Sequence, residues 1–336
     1  MKQHEIKSAN NGKYIDAIPA LKWDEWKDCT YSGAVALALN AMGKNATYEQ
    51  VRGLSGSAFH LSMCYGWDPG SCLVHTSYHF LGVNSDRNAL RAFGMDYRCV
   101  ADADAYAMEV QKSIDAGIPV LILGARGAPE WEILTGYETT PEGVRFFGRS
   151  YFDAQAAEDE LRTENKYTLF NNFPGEYPHD LLRFLDTPCE PTPPKEALKI
   201  SLQACLDLFK PNANQVGYEA YKFLLDNLAT VDSGHIALHL CLLQDARRAA
   251  HVYLTESADL LQGENKTKLL EAAALYKKMF DTLSAVMPYE TKWEWDKNTH
   301  TPLPAQTSKT LVEALETIVG LEKQVRVFIA EIIKGK

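Results

Sequence analysis

The sequence predicts an α+β domain followed by an all-α helical bundle. Three observations lead there. Helical spacing and short apolar runs bounded by Gly and Pro alternate up to about residue 155. Four prolines then fall between Pro188 and Pro194, a composition that resists both helix and strand ladders and reads as an extended linker. Beyond it, apolar residues recur at three- and four-residue spacing almost to the last residue. The expected boundaries are residues 1–187 for the α+β domain, 188–195 for the linker and 196–336 for the bundle. A chain of 336 residues suits two cores, since single cores stop growing at roughly 250–300 residues.

In chain order, the first helix is read at residues 31–43, where Ser32, Gly33 and Ala34 open an apolar run. ATYEQVRGLSG follows as a second helix, with Thr47 as N-cap and Gln50 completing a capping box. DRNALRAFG is a short third helix closed by Gly94, and MDYRCV a strand. AYAMEVQKSIDAG reads as a helix ended by Gly117, and IPVLILG as a buried strand. WEILTGYE and VRFFGRSYF are two further strands joined by the turn-like TTPEG. In the tail, five helices are read: LKISLQACLDLF, GYEAYKFLLDNLA, GHIALHLCLLQDARRAAHVYL, KTKLLEAAALYKKMFDTLSAVM and SKTLVEALETIVGLEKQVRVFIAEIIK.

Composition narrows the function. Lys and Arg total 34 against 44 Asp and Glu, a formal net charge of -10, which argues against nucleic acid or an anionic membrane as partner. The N-terminus is polar with no signal-like apolar stretch, and no segment approaches the roughly 20 apolar residues of a membrane span. The seven cysteines, Cys29, Cys64, Cys72, Cys99, Cys189, Cys205 and Cys241, are odd in number and form no CxxC pair. That fits neither a disulfide framework nor a structural zinc site, and a reduced, cytoplasmic setting is expected. No dinucleotide, P-loop or nucleophile-elbow signature is present.

Cys29 lies in KWDEWKDCTYSG, where charges and tryptophans give way to the first helix. A thiol at the first turn of a helix faces unpaired N–H groups and the positive end of the helix dipole, which favours the nucleophilic thiolate. The other reading of the position is an inert core cysteine. Gly33 and the alanines of SGAVALALNA let this helix pack closely on a sheet.

The series DCTYSGAVALALNAMG, TYEQVRGLSGSAF, ALRAFGMDYRC, IDAGIPVLILG and EWEILTGYE, over residues 20–155, resembles the papain-like fold in its C39-like peptidase variant. The likeness is to the group related to the butirosin-biosynthesis H protein. The resemblance implies a papain-like domain with Cys29 as nucleophile. It puts Glu130 where the family has its histidine, and Asp153 where the family has its orienting acid. Trp23 stands where the family's oxyanion-hole glutamine is expected. It further implies acyl-group chemistry, since the related butirosin protein moves an aminoacyl unit from a carrier protein to an aminoglycoside. A small-molecule or peptidyl/acyl substrate, with an acyl carrier as a possible partner and no cofactor, follows from that likeness.

Because Glu130 replaces an imidazole, other histidines are candidates: His60, His75, His79, His179, His235 and His239. His75/His79 and His235/His239 have HxxxH spacing, yet neither pair has a recognisable third ligand or zincin glutamate. Glu130 itself reads as a solvated carboxylate, a partner of Arg126 or Arg149, a base, or a binder of a substrate amine. Arg247 and Arg248 are most simply a solvated helix face. Trp23, Trp26, Trp67 and Trp131 are core filling or the aromatic wall of a pocket. Two functions compete: a cysteine enzyme working through an acyl-Cys29 intermediate, and a papain-like protein that holds a ligand without turning it over.

Overall fold

A computed structural model describes residues 3–335 except 10, 24–25, 62–84, 127–129, 172, 175–181, 211–215, 229, 231–232 and 289–301. Two compact units organise the chain. The first holds Met1–Asp24, Thr30–Val51 and Leu90–Thr192; the second holds Glu25–Cys29, Arg52–Ala89 and Pro193–Lys336. The chain is mixed α/β, with an antiparallel nine-stranded sheet and a set of C-terminal helices.

The strands are β1 (Ile6–Ala9), β2 (Gly12–Ile15), β3 (Met95–Arg98), β4 (Val120–Leu123), β5 (Trp131–Thr140), β6 (Gly143–Arg149), β7 (Leu161–Arg162), β8 (Tyr167–Leu169) and β9 (Arg183–Pro188). Their order is β3-β9-β4-β5-β6-β8-β7, and β2 pairs both with β1 and with β5. The apolar run of β4 is buried along its whole length, and its register pairs Val120 with Leu134 and Leu123 with Trp131. Strands β5 and β6 form the hairpin expected around TTPEG, with Thr140 opposite Gly143 and a register shift between Leu134 and Gly136. Arg183 opens β9 and is almost wholly buried, its guanidinium lying over the rings of Tyr97 at 4.5 Å and Trp131 at 4.8 Å. Such faces attract the cation that the strand carries into the sheet.

Four α-helices precede the proline-rich segment among the described residues: α1 (Thr30–Ala41), α2 (Tyr48–Leu54), α3 (Ser85–Ala92) and α4 (Tyr106–Asp115). Helix α1 packs on β4 and β5. The helix also comes close to the segment after β6, where Gly33 has no Cβ: one built there would lie 2.1 Å from Tyr151 Oη. The capping box read at Thr47 forms in both directions. Gln50 N–H donates to Thr47 Oγ1 and Thr47 N–H to Gln50 Oε1, each at 3.1 Å. Gly94 and Gly117 adopt left-handed backbone, φ 76° and 74°, where they end α3 and α4. Of the proline-rich span, Pro188 ends β9 and Pro194 opens a helix. Between them, Cys189 N–H donates to Gly94 O and Thr192 N–H to Arg91 O.

The second unit carries α5 (Pro194–Leu208), α6 (Tyr218–Asn227), α7 (Ser233–Ser257), α8 (Gly263–Val286) and α9 (Ala305–Lys334). These are the five stretches read from the periodicity. Helix α8 packs on α7 and α9, and α9 also meets α5 and α6. One expectation is overturned here. Arg247 is fully buried on α7, 2.5 Å from Glu322 of α9, and donates to the carbonyls of Ala58 and His60 at 3.2 Å. Arg248 is half-buried and donates through Nε to Trp26 O at 3.1 Å. Helix α7 is covered around most of its circumference there, so Asp245, Arg247 and Arg248 find their partners inside the protein rather than in water. Among the described residues, no helix is long and apolar enough to cross a membrane.

Candidate functional site

Cys29 is the residue immediately before α1, as the sequence places it, and is 1% exposed. It belongs to the second unit, where its backbone N–H donates to Asp245 Oδ2 at 3.2 Å. That carboxylate oxygen also accepts from Arg52 Nη2 at 3.0 Å, and both side chains of the pair are buried. Asp245 and Arg52 escaped the sequence reading. The available signal was a run of charges, QDARR, inside an otherwise apolar helix.

In the first unit, Glu130 stands directly before β5 and is half-buried. Thr30, the first residue of α1, donates its hydroxyl to Glu130 Oε2 at 2.7 Å and accepts from Trp131 N–H at 3.3 Å. Its carbonyl accepts from Tyr151 Oη at 3.5 Å. The head of α1 is thereby fastened to the start of β5. Arg126 pairs with Glu160 at 2.6 Å, and Arg149 donates to the carbonyls of Ile18, Asn165 and Lys166.

Asp153 follows β6 and takes different partners. Its Oδ1 accepts from Ser150 N–H at 2.9 Å, and Oδ2 lies 3.7 Å from Arg149 Nη1. Burial pushes its carboxyl above the usual range, against the opposing pull of hydrogen bonds and of Arg149. Asp153 lines an open cleft of about 580 Å³ together with Lys22, Trp23, Arg149, Tyr151 and Lys166. Trp23 sits 5.1 Å from Tyr151 and edge-on to Phe152 at 5.3 Å, so its ring forms part of an aromatic wall.

Beside Asp153 lies a carboxyl the sequence reading missed. Glu132, fully buried on β5, accepts from Ala125 N–H at 2.7 Å and from Ser150 Oγ at 2.5 Å. Burial raises it to about 7, with Asp153 adding to the same direction. Because β5 is covered on both faces, alternation did not mark this glutamate as an inward residue. The folded chain holds the proton that the unfolded chain releases near the ordinary glutamate value. Stability should therefore fall as pH rises from about 4.5 to 7, by about 3 kcal/mol in all, and level off above that. Glu132→Gln should remove this fall, which urea melts of both chains at about pH 4.5 and pH 8 would measure. Parallel pH profiles for the two chains would reject the raised value.

The histidine candidates resolve unevenly. His60 is buried, and burial together with Arg52 and Arg247 lowers it to about 3, so it stays neutral at ordinary pH. His239 is buried on α7. His75, His79 and His179 lie outside the described residues, as do Cys64, Cys72, Trp67 and the side chain of His235. Trp131 is core, packed edge-on to Tyr31 at 5.3 Å. Trp26 is 9% exposed and packs edge-on to Phe280 of α8 at 5.1 Å. Among the described residues, no group of three or more His, Cys, Asp or Glu side chains is placed to hold a metal ion. The chain matches no protein-family model and no curated protein sequence.

Proposed function

We propose that residues 1–187 are a papain-like domain and that the chain is a cysteine-dependent enzyme of acyl-group chemistry, with Cys29 as nucleophile. The observation that supports this is the fastening of α1 to β5. Thr30, peptide-bonded to Cys29, bonds Glu130, the residue at the position where the resembling family has its histidine. Thr30 Oγ1 thus ties the residue after the nucleophile to the carboxylate before β5, in a chemistry that needs nucleophile and base side chains within hydrogen-bond reach. In the reaction, Cys29 Sγ attacks the carbonyl carbon of a thioester or amide, and the C–S bond forms as the bond to the leaving thiol or amine breaks. The proton given up by the Cys29 thiol passes to the leaving group, and the one lost by the incoming water or amine in the next step restores the thiol. Water or an acceptor amine then attacks the acyl-Cys29 thioester and releases the thiolate. The substrate is a small-molecule or peptidyl acyl donor, such as an acyl carrier, and the chemistry calls for no cofactor.

A second reading is favoured by one feature, the carboxylate at Glu130. A carboxylate in the place of the resembling family's histidine would oppose a thiolate, whereas an imidazole promotes one. A protein that binds an amine-bearing ligand through Glu130 without turnover follows from that. Iodoacetamide labelling separates the two. For the enzyme, Cys29, although 1% exposed, should already label at about pH 6.5, with a rate that rises little from there to about pH 9. For the binding protein, Cys29 should be sluggish, with labelling accelerated in Glu130→Gln. Slow labelling that Glu130→Gln speeds up would overturn the enzyme.

A further inference from the structure

We infer that helix α7 is a positioning clamp for Cys29, which makes the helical tail part of the cysteine's working apparatus rather than an appendage. The inference rests on the acyl-transfer reading above. Two residues of α7, three apart and so on one face of the helix, grip the two ends of the segment 26–29. Arg248 Nε donates to Trp26 O at 3.1 Å, and Asp245 Oδ2 accepts from Cys29 N–H at 3.2 Å. The segment is under strain at its first residue: Trp26 has φ 57°, left-handed backbone that a bulky residue rarely adopts. The surroundings hold it there through the Arg248 bond and through the packing of the Trp26 ring on Phe280. Strain of this kind persists only where neighbouring structure over-determines it.

The same geometry explains Arg52. A lone buried carboxylate at Asp245 would bring negative charge to the backbone of the thiol-bearing residue. Arg52 Nη2 lies 3.0 Å from that carboxylate and balances it. Arg52 is in turn steadied by Leu242 O at 3.4 Å and Ser57 Oγ at 3.3 Å. Asp245 thus supplies an acceptor for the Cys29 N–H while the pair adds no net charge. Arg52, Asp245 and Arg248 act through the backbone that carries the nucleophile, and displacing a reacting group by about 1 Å can cost ~100-fold in rate.

The test is iodoacetamide labelling of Cys29 in the full chain, from about pH 5 to pH 9, followed by peptide mass mapping. The double variant R52M/D245N keeps a side-chain oxygen for the Cys29 N–H and removes both charges. It should follow the native profile to within about threefold. R52M/D245L removes the acceptor without leaving a buried charge unpaired, and should shift the Cys29 labelling rate at least about tenfold from the native one across the range. A native-like profile for R52M/D245L overturns the clamp. Should that variant not fold, amide hydrogen exchange on the native chain decides instead. Protection of the Cys29 amide comparable to the middle of α7 supports the clamp, and exchange at the rate of an open loop overturns it. A native Cys29 labelling rate that is negligible at about pH 6.5 and climbs steadily to about pH 9 would sink the acyl-transfer reading alone, because the variant-to-native ratio and the amide protection still report on the clamp.

Discussion

Replacing Glu322 with alanine is expected to destabilise the chain by about 3–5 kcal/mol, the cost of leaving one partner of a buried ion pair alone. Arg247 and Glu322 are both without solvent exposure and 2.5 Å apart. Tyr221 Oη donates to Glu322 Oε1 and accepts from Arg247 Nη2, each at 3.1 Å, which closes a three-member network. Removing the carboxylate strands a guanidinium in the core of the second unit. The companion variant R247M/E322L should recover most of the loss, because it removes both desolvated charges. It forfeits the Arg247 bonds to Ala58 O and His60 O, so full recovery is not expected. Chemical denaturation at constant pH measures both. A loss below about 1 kcal/mol for Glu322→Ala would mean the pair is solvated and the network is misassigned.

The second large effect lies on the acid side. His60 is held neutral down to about 3 by burial first and then by Arg52 and Arg247. The unfolded chain takes up that proton near the ordinary histidine value of about 6.5. The folded value is the lower one, so the contribution is complete above about pH 6.5 and is lost as pH falls towards 3. The full swing is about 4–5 kcal/mol. Carboxylates add their own acid sensitivity, so the informative quantity is the difference from His60→Leu, whose stability should decline less between about pH 6.5 and pH 4. Identical acid limbs would mean His60 is accessible to protons in the folded chain.

How far the sequence foretold the structure depended on what each residue had to signal. The Thr47–Gln50 box, the closing glycines 94 and 117, the buried run at Val120–Leu123 and the five tail helices all announce themselves locally, through turn chemistry or a 3.6-residue period. Strands β1, β2, β7, β8 and β9 do not. They are two to six residues long and take their identity from partners far away in the chain. Strand β9 begins with an arginine and ends in a proline, features that read as surface and linker, yet Arg183 is buried against aromatic rings. Of the candidate site, the position of Cys29 ahead of α1 was legible because the change from charged to apolar text is local. The partners of that residue, Asp245 and Arg52, are set by tertiary contacts, which leave no period in the sequence. Arg247 was misread for the same reason.

Strand β9 lies between β3 and β4, although both of its neighbours are made much earlier in the chain. A ribosome therefore releases the first unit with its sheet open between edge strand β3 and β4. Until Arg183–Pro188 emerges, the backbone edges of β3 and β4 that it covers are unpaired, and such edges invite strand addition by other chains. Completion of the sheet waits on a distant loop closure, which is slow relative to the formation of local helices. A chain cut short before β9 would keep both of those edges open to strand addition.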